Sequence, residues 1–470
     1  MDINVSKLKK GILSVLIANI INLCIKVATS FILPKYLSVD SYAALKTYHL
    51  YVAYAGVLSF GYIDGMFLKY GGIDFDQLDK KDLNRNLSSF RIFQLIVVAL
   101  LFVIGCYFRD IILMAFLATT FPTNMAGYFK SLYQSIGEFQ RYSRIMNATT
   151  GITFLINLLL LFVVRTDDFR LYLLLYVLLN LVIWLFLELY LRKSCKFQFS
   201  YTVFSVQETI ANIKDGILLM LGNFSNIILT SMDRWFIKFL MSTTAFAQYS
   251  FACSMENFVN LSVTPLTVTL YNYFCKVRDV QKIQKVRNIV LLFGSVLIAC
   301  AFPGKFVLEI YLDKYLEASD VMFYLFDAQL FYLLIKSVYV NLYKAYHKQT
   351  RYFIRLVTVI VAGFVFNIGC YTVFSCKESF AVGTLLTSIL WLFLSNRDFE
   401  WLSFGWRESI YLAIAAGSFL LCGNSLGAIP GCVVYLLVIS ISAAFLMRSE
   451  LLYILENGKE MLKHRKQPKK

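Results

Sequence analysis

The chain has 470 residues, of which 59% are hydrophobic and only 16% charged, against about 25% charged in an average soluble protein. Its formal net charge of +16 would suit nucleic acid, but the basic residues sit in short connections and tails between apolar stretches, the pattern of positive loops retained on the cytoplasmic side of a membrane. The composition excludes a soluble enzyme, a nucleic-acid partner and a disulfide framework; the 10 cysteines are scattered, form no CxxC or metal-ligand spacing, and read as small buried hydrophobes.

With about 20 apolar residues per crossing, spans are expected at 11–33, 42–63, 92–108, 111–133, 145–164 and 171–191. After a polar linker at 192–215 come 216–241, 245–274, 289–308, 321–346, 352–374 and 380–394, then a final pair at 402–422 and 430–447. Lys7, Lys9 and Lys10 precede a full-length span with no small-residue cleavage site, so no cleavable signal peptide is expected. With the N-terminus inside, the inward loops hold roughly 31 of the 45 basic residues and the outward loops roughly 7. Lys80, Lys81 and Arg85, Arg192, Lys193 and Lys196, and the terminal KHRKQPKK all fall inside, and both termini are cytoplasmic.

The span at 216–241 carries a polar stripe. Asn223, Asn226, Thr230, Asp233 and Arg234 recur at helical spacing and lie broadly on one face. Charge inside a bilayer is costly, so this face should look into protein or water. The first span carries a second copy: one offset places Asn19 on Asn223, Asn22 on Asn226, Ser38 on Ser242 and Tyr42-Ala43 on Phe246-Ala247, with Lys26 opposite Thr230. Six spans separate the copies, so they cross in the same direction, as parallel transporter repeats do. The expected fold is an all-α polytopic membrane protein of about 14 transmembrane helices. Its parts are an N-terminal six-helix lobe (1–191), a cytoplasmic linker (192–215), a parallel-related C-terminal six-helix lobe (216–395), an extra helix pair (396–447) and a basic cytoplasmic tail (448–470).

Three stretches carry a family resemblance: LPKYLSVDSYAAL after the first span, GYIDGMFLKYGG closing the second, and DRWFIKFLMSTTAFAQYSF closing the seventh. They resemble the polysaccharide repeat-unit flippases of the Wzx type, in a superfamily (MOP) with MATE multidrug exporters and lipid II flippases. Lys69 stands where that family usually has Arg, and Ala247-Gln248-Tyr249 where Gly-x-Tyr is more usual. The resemblance covers the span count and two-lobed plan along nearly the whole chain. It implies an inner (plasma) membrane flippase serving O-antigen or capsule synthesis, with a polyprenyl-diphosphate-linked oligosaccharide as substrate. Membrane lipids and other polysaccharide-assembly membrane proteins are the implied partners.

Chemistry can be assigned to depth. At 1.5 Å per residue, Lys26 lies ~22 Å and Arg234 ~27 Å from the inner face, and Lys46 ~6 Å from the outer one. Lys26, Lys46 and Arg234 are expected to meet a pyrophosphate in the outer half of a central cavity, Arg as a bidentate partner and Lys as a point charge. Asn19, Asn22, Asn223 and Asn226 would serve sugar hydroxyls. Snorkelling is the competing account of Lys46. Glu256 and Asp233 are the candidates for coupling to an H+ or Na+ gradient; Glu256 could equally neutralise Lys336 or Arg234. No other cofactor and no metal is expected. Asp64 and Lys69, at the inner end of the second span, read as structural residues that pair across helices. The rivals are a MATE-like cation exporter, which would call for an acidic cavity, and a membrane glycan polymerase or ligase. The latter needs a long external loop, and no outward connection exceeds roughly a dozen residues. There is no Walker loop and no HExxH, and His49, His347 and His464 are isolated.

Overall fold

The computed structural model describes residues 5–195, 204–454 and 456, with side chains from Ile20 onward apart from a few positions such as Thr264 and Pro265. The side chains of Asn19 and of Lys7, Lys9 and Lys10, together with Lys196 and the basic tail beyond 456, lie outside the described residues. Among the described residues there is no strand.

The first helices are α1 (Val5–Tyr36), α2 (Val39–Val52), α3 (Tyr62–Lys69), α4 (Lys80–Phe108), α5 (Ile111–Ser135), α6 (Phe139–Leu158) and α7 (Phe169–Cys195). Then come α8 (Val206–Leu240), α9 (Thr243–Lys276), α10 (Val280–Ile298), α11 (Ala301–Tyr311), α12 (Ala318–Leu334) and α13 (Val340–Ala345). The chain closes with α14 (Gln349–Phe374), α15 (Glu378–Asp398), α16 (Trp406–Ser425) and α17 (Ala428–Leu446). Among the described residues, ten helical segments are long and apolar enough to cross a membrane, and up to 11 if the bent pair Val39–Ser59 and Tyr62–Lys69 is one span. Helices α1, α9 and α16 occupy the remaining stretches read as spans, so every expected crossing has a helix at its position. The molecule is a polytopic all-helical membrane protein.

Three boundaries differ from the sequence reading. The span expected at 42–63 is broken, with a bend of 57° between its halves. The break follows from Phe60 (φ 50) and Gly61 (φ 83), both in the left-handed region. Irregular backbone inside a span needs its carbonyls satisfied. Buried amides do this: Gln94 Nε2 donates to the Leu58 carbonyl at 2.9 Å, and Asn124 Nδ2 to the Ala55 carbonyl at 2.9 Å and to Gln94 Oε1 at 2.8 Å. Second, α8 begins at Val206, so the end of the stretch read as connecting chain is helical. Third, the span expected at 289–308 is made of α10 and α11 in succession.

The chain forms two compact units, Met1–Ser231 and Met232–Lys470, and the division falls inside α8. In the first unit the core joins α3, α4, α5 and α7, with Tyr62, Met66, Leu87, Phe90, Tyr128 and Phe129 fully buried. Its outward side chains are apolar as well: Val103 on α4 and Phe186 on α7 are 71% and 66% exposed, which suits lipid rather than water. In the second unit α12 is the central helix, buried over 89% of its apolar window and packed against α9, α10, α15 and α16.

Local geometry repeats between the units. Ser38 caps α2 by accepting from Ser41 N at 3.2 Å, and Ser242 caps α9 by accepting from Ala245 N at 3.2 Å. These are the serines that the sequence repeat superimposes. A second pair follows Leu132-Tyr133 and Leu342-Tyr343. There Gly137 (φ 74) and His347 (φ 54) turn left-handed, and Glu138 N and Lys348 N donate back to the Tyr133 and Tyr343 carbonyls, both at 2.8 Å. A third is Arg165 (φ 54) and Ser375 (φ 49), each ending its helical segment.

Candidate functional site

The polar stripe of α8 is present. Asn223, Asn226 and Thr230 are exposed, and Arg234, one helical turn beyond Thr230, is half-buried. Asp233 departs from the stripe. It is buried, its Oδ2 accepting from Tyr249 Oη at 2.6 Å and its Oδ1 from the Arg234 backbone N–H at 2.8 Å. The side chain therefore serves α9 rather than the open face.

Within the first unit, Lys26 is exposed on α1 and Lys46 is half-buried on α2, with its ammonium 5.1 Å from the centre of the Tyr42 ring. Asn22 is buried and Nδ2 donates to Asn147 Oδ1 on α6 at 3.4 Å. Asn223 Nδ2 donates to Asp64 Oδ1 at 3.4 Å. Asp64 and Lys69 both pair across helices as expected, Asp64 with Asn223 and Lys69 with Glu208 on α8. Lys69 bridges Glu208 at 2.8 Å and Asp82 at 2.8 Å.

In the second unit, Glu256 on α9 is half-buried and its Oε1 accepts from Gln329 Nε2 on α12. One turn along α9, Asn260 Oδ1 accepts from Lys336 Nζ at 3.4 Å. Gln329 and Asn260 thus stand as the hydrogen-bond partners of Glu256 and Lys336. Asp327, on the same helix as Gln329, is 1% exposed, and its Oδ1 has no hydrogen-bond partner among the described residues.

The sequence reading missed three assemblies. The first is a seam between α3 and α8, where Gly61 and Gly65 meet Gly216. A Cβ on Gly65 would sit 2.0 Å from the Asn212 carbonyl oxygen, and one on Gly216 2.0 Å from that of Gly61. Small residues four apart are the usual device for such close backbone approach in membranes, and GYIDG was the visible signal. The second is a polar knot around fully buried Asn86 on α4. Its Nδ2 donates to Glu208 Oε1 at 2.9 Å, while Tyr128 Oη donates to its Oδ1 at 2.9 Å and Tyr62 Oη to its backbone carbonyl at 2.9 Å. The third is Glu188 on α7, whose Oε1 takes Arg91 Nη2 at 2.6 Å and Arg192 Nη2 at 2.8 Å, with Trp184 Nε1 on Oε2 at 2.9 Å.

In fold the chain is similar to the lipid II flippase MurJ in its inward closed conformation. The TM-score is 0.61 at 10% identity, covering 94% of this chain and 99% of that one. It is also similar to a mutant of the Vibrio cholerae MATE transporter VcmN, with TM-score 0.49, 13% identity and coverage of 84% and 98%. A MOP-superfamily transporter from Pyrococcus furiosus gives TM-score 0.46, 13% identity and coverage of 84% and 96%. No protein-family model matches the chain, and no curated protein matches it. At these identities the likeness is one of fold.

Proposed function

We propose that the chain is a flippase that carries a polyprenyl-diphosphate-linked oligosaccharide from the cytoplasmic to the outer leaflet by alternating access, for surface polysaccharide synthesis. The observation that carries this reading is a fold shared, over nearly the full length of both chains, with a flippase of lipid II. The chemistry of the candidate residues agrees with it. Lys26 is exposed on α1, and Arg234 continues the exposed Asn223, Asn226 and Thr230 stripe of α8. An exposed ammonium such as Lys26 on an apolar helix is costly unless water or an anion attends it, and a pyrophosphate is such an anion. Lys26, Lys46 and Arg234 would hold the pyrophosphate, and Asn19, Asn223 and Asn226 the sugar; Asn22, buried against Asn147, leaves the set. A cation exporter would need open acids, whereas Asp233 is tied to Tyr249 and Glu256 to Gln329. Glu256 is the group we assign to coupling with a proton or sodium gradient.

Surface glycan display in the native host tests the reading, with membrane abundance matched. Lys26→Ala and Arg234→Ala should each abolish display, and Arg234→Lys should restore part of it, since it keeps the charge and loses the planar fork. Glu256→Gln should leave substrate binding and lower gradient-driven flipping in reconstituted vesicles. Full display by the Lys26→Ala/Arg234→Ala double variant refutes the anionic-substrate mechanism.

A further inference from the structure

The first unit has an open groove of about 510 Å³ between α6 and α7, within the ~300–1,000 Å³ usual for ligand sites. Its walls are apolar: Ile145, Ala148 and Ile152 from α6, and Val182 and Phe186 from α7. Only one end is charged, by Arg141 and Arg144. Both lie in the first two turns of α6, where the helix dipole is positive, so the site pairs two cations with a third source of positive potential. Arg144 is exposed and makes no ion pair among the described residues. Arg141 stands over the Phe75 ring at 4.6 Å, with the rings of Tyr133 and Tyr190 at 5.7 and 5.9 Å. Its Nε is 3.4 Å from Glu138, which offsets part of its charge. Its Nη1 is buried with no hydrogen-bond partner among the described residues.

We infer that this groove binds an anionic glycerophospholipid, with the headgroup phosphate at Arg141 and Arg144 and an acyl chain along the α6–α7 wall. The aromatic box fixes the Arg141 guanidinium at the charged end of the groove, where its positive charge adds to that of exposed Arg144, which reaches the phosphate. Length selects the occupant. From Arg141 to Ile152 the helix rises ~16 Å, about half of the ~30 Å hydrocarbon core. That is one leaflet, the span of an ordinary acyl chain and too short for a polyprenyl tail. The leaflet is the one at the N-terminal end of α6, the cytoplasmic leaflet on the positive-inside orientation. The inference concerns a resident lipid and stands apart from the transported substrate.

The test is lipid retention by the full chain, purified into mixed phosphatidylglycerol–phosphatidylcholine nanodiscs and read by native mass spectrometry. Wild type should retain one phosphatidylglycerol in preference to phosphatidylcholine. Arg144→Gln, an exposed change that leaves the packing intact, should lower that preference about fivefold, and Arg141→Gln/Arg144→Gln further. Ala148→Trp, which fills the groove, should lower retention of both lipids, whereas Lys80→Gln/Lys81→Gln on α4 should change nothing. Equal retention of the two lipids by wild type, or an unchanged preference in the double arginine variant, overturns the site. Displacement of phosphatidylglycerol by an equimolar polyprenyl phosphate overturns the assigned occupant.

Discussion

The close contact of α3 with α8 should be intolerant of a single methyl group. Gly65→Ala would place a Cβ 2.0 Å from the Asn212 carbonyl oxygen, where ordinary contact begins at 3.4 Å. The neighbouring atoms are α8 backbone, so no side chain can rotate aside; α3 and α8 must separate. That separation strains the Asp64–Asn223 hydrogen bond, already 3.4 Å long, and the Lys69–Glu208 bridge at 2.8 Å. Overpacking of this kind costs about 1–3 kcal/mol. The assay is the thermal midpoint of purified protein in detergent. Gly222→Ala on α8 is the control, because its Cβ would meet nothing within 4 Å and alanine favours a helix by about 1 kcal/mol. Gly65→Ala should lower the midpoint while Gly222→Ala holds or raises it. Equal midpoints for the two variants would refute the close seam.

Two further outcomes are expected. Glu188→Gln removes the one carboxylate shared by Arg91 and Arg192, whose side chains are only 9% and 4% exposed. Breaking both buried ion pairs at once should cost about 3–5 kcal/mol and deplete folded protein in size-exclusion chromatography; a parent-like elution profile would refute it. Glu317 is held below the usual glutamate range by its hydrogen bond from the Lys377 ammonium at 3.0 Å. Its contribution is therefore fully present above the unfolded-state value and lost as pH falls through the lower folded one. Glu317 is 76% exposed, so the effect is small. The midpoint difference between wild type and Glu317→Gln should shrink as the pH is lowered through that window, and a difference independent of pH would contradict the bridge.

What the sequence revealed follows the range of the interaction concerned. Hydropathy is local, and every apolar stretch became a helix. The break at Phe60-Gly61 was hidden because the carbonyls leading to it are met by Gln94 and Asn124, on helices far along the chain. The start of α8 was hidden too, since Gln207, Glu208 and Thr209 look like linker. There the Ser205 Oγ accepts from Glu208 N at 3.3 Å, and Lys69 holds the Glu208 carboxylate. At the candidate site, spacing alone placed Asn223, Asn226 and Thr230 on one face. It could not show that Asp233, at the edge of that face, turns to Tyr249, which lies on the following helix. GYIDG was visible as a motif, but its partner Gly216 was not, because a glycine announces nothing about what approaches it.

The repeat divides backbone from chemistry. The serine caps at Ser38 and Ser242 and the left-handed turns at Gly137 and His347 recur with nearly the same geometry. The charged candidates do not recur. At the offset that superimposes the two serines, Lys26 faces Thr230, Lys46 faces Ser250, Arg234 faces Ser30, Asp233 faces Thr29 and Glu256 faces Val52. Caps fix where each helix starts and which way its faces point, and two units built alike need them equally. A charge inside a span is tolerated only where a partner, water or ligand meets it. A pyrophosphate-bearing substrate has one charged end, so a single set of cations suffices and a symmetric second set would be left unpaired. Thr230 illustrates the neutral alternative: its Oγ1 donates to the Asn226 carbonyl at 2.9 Å, and Thr29 Oγ1 does the same to Ile25 at 2.8 Å. Both threonines satisfy their hydroxyls within their own helix and carry no charge that needs an answering group. Unrepeated charges beside repeated caps and turns are thus what the singly headed anion proposed above would require.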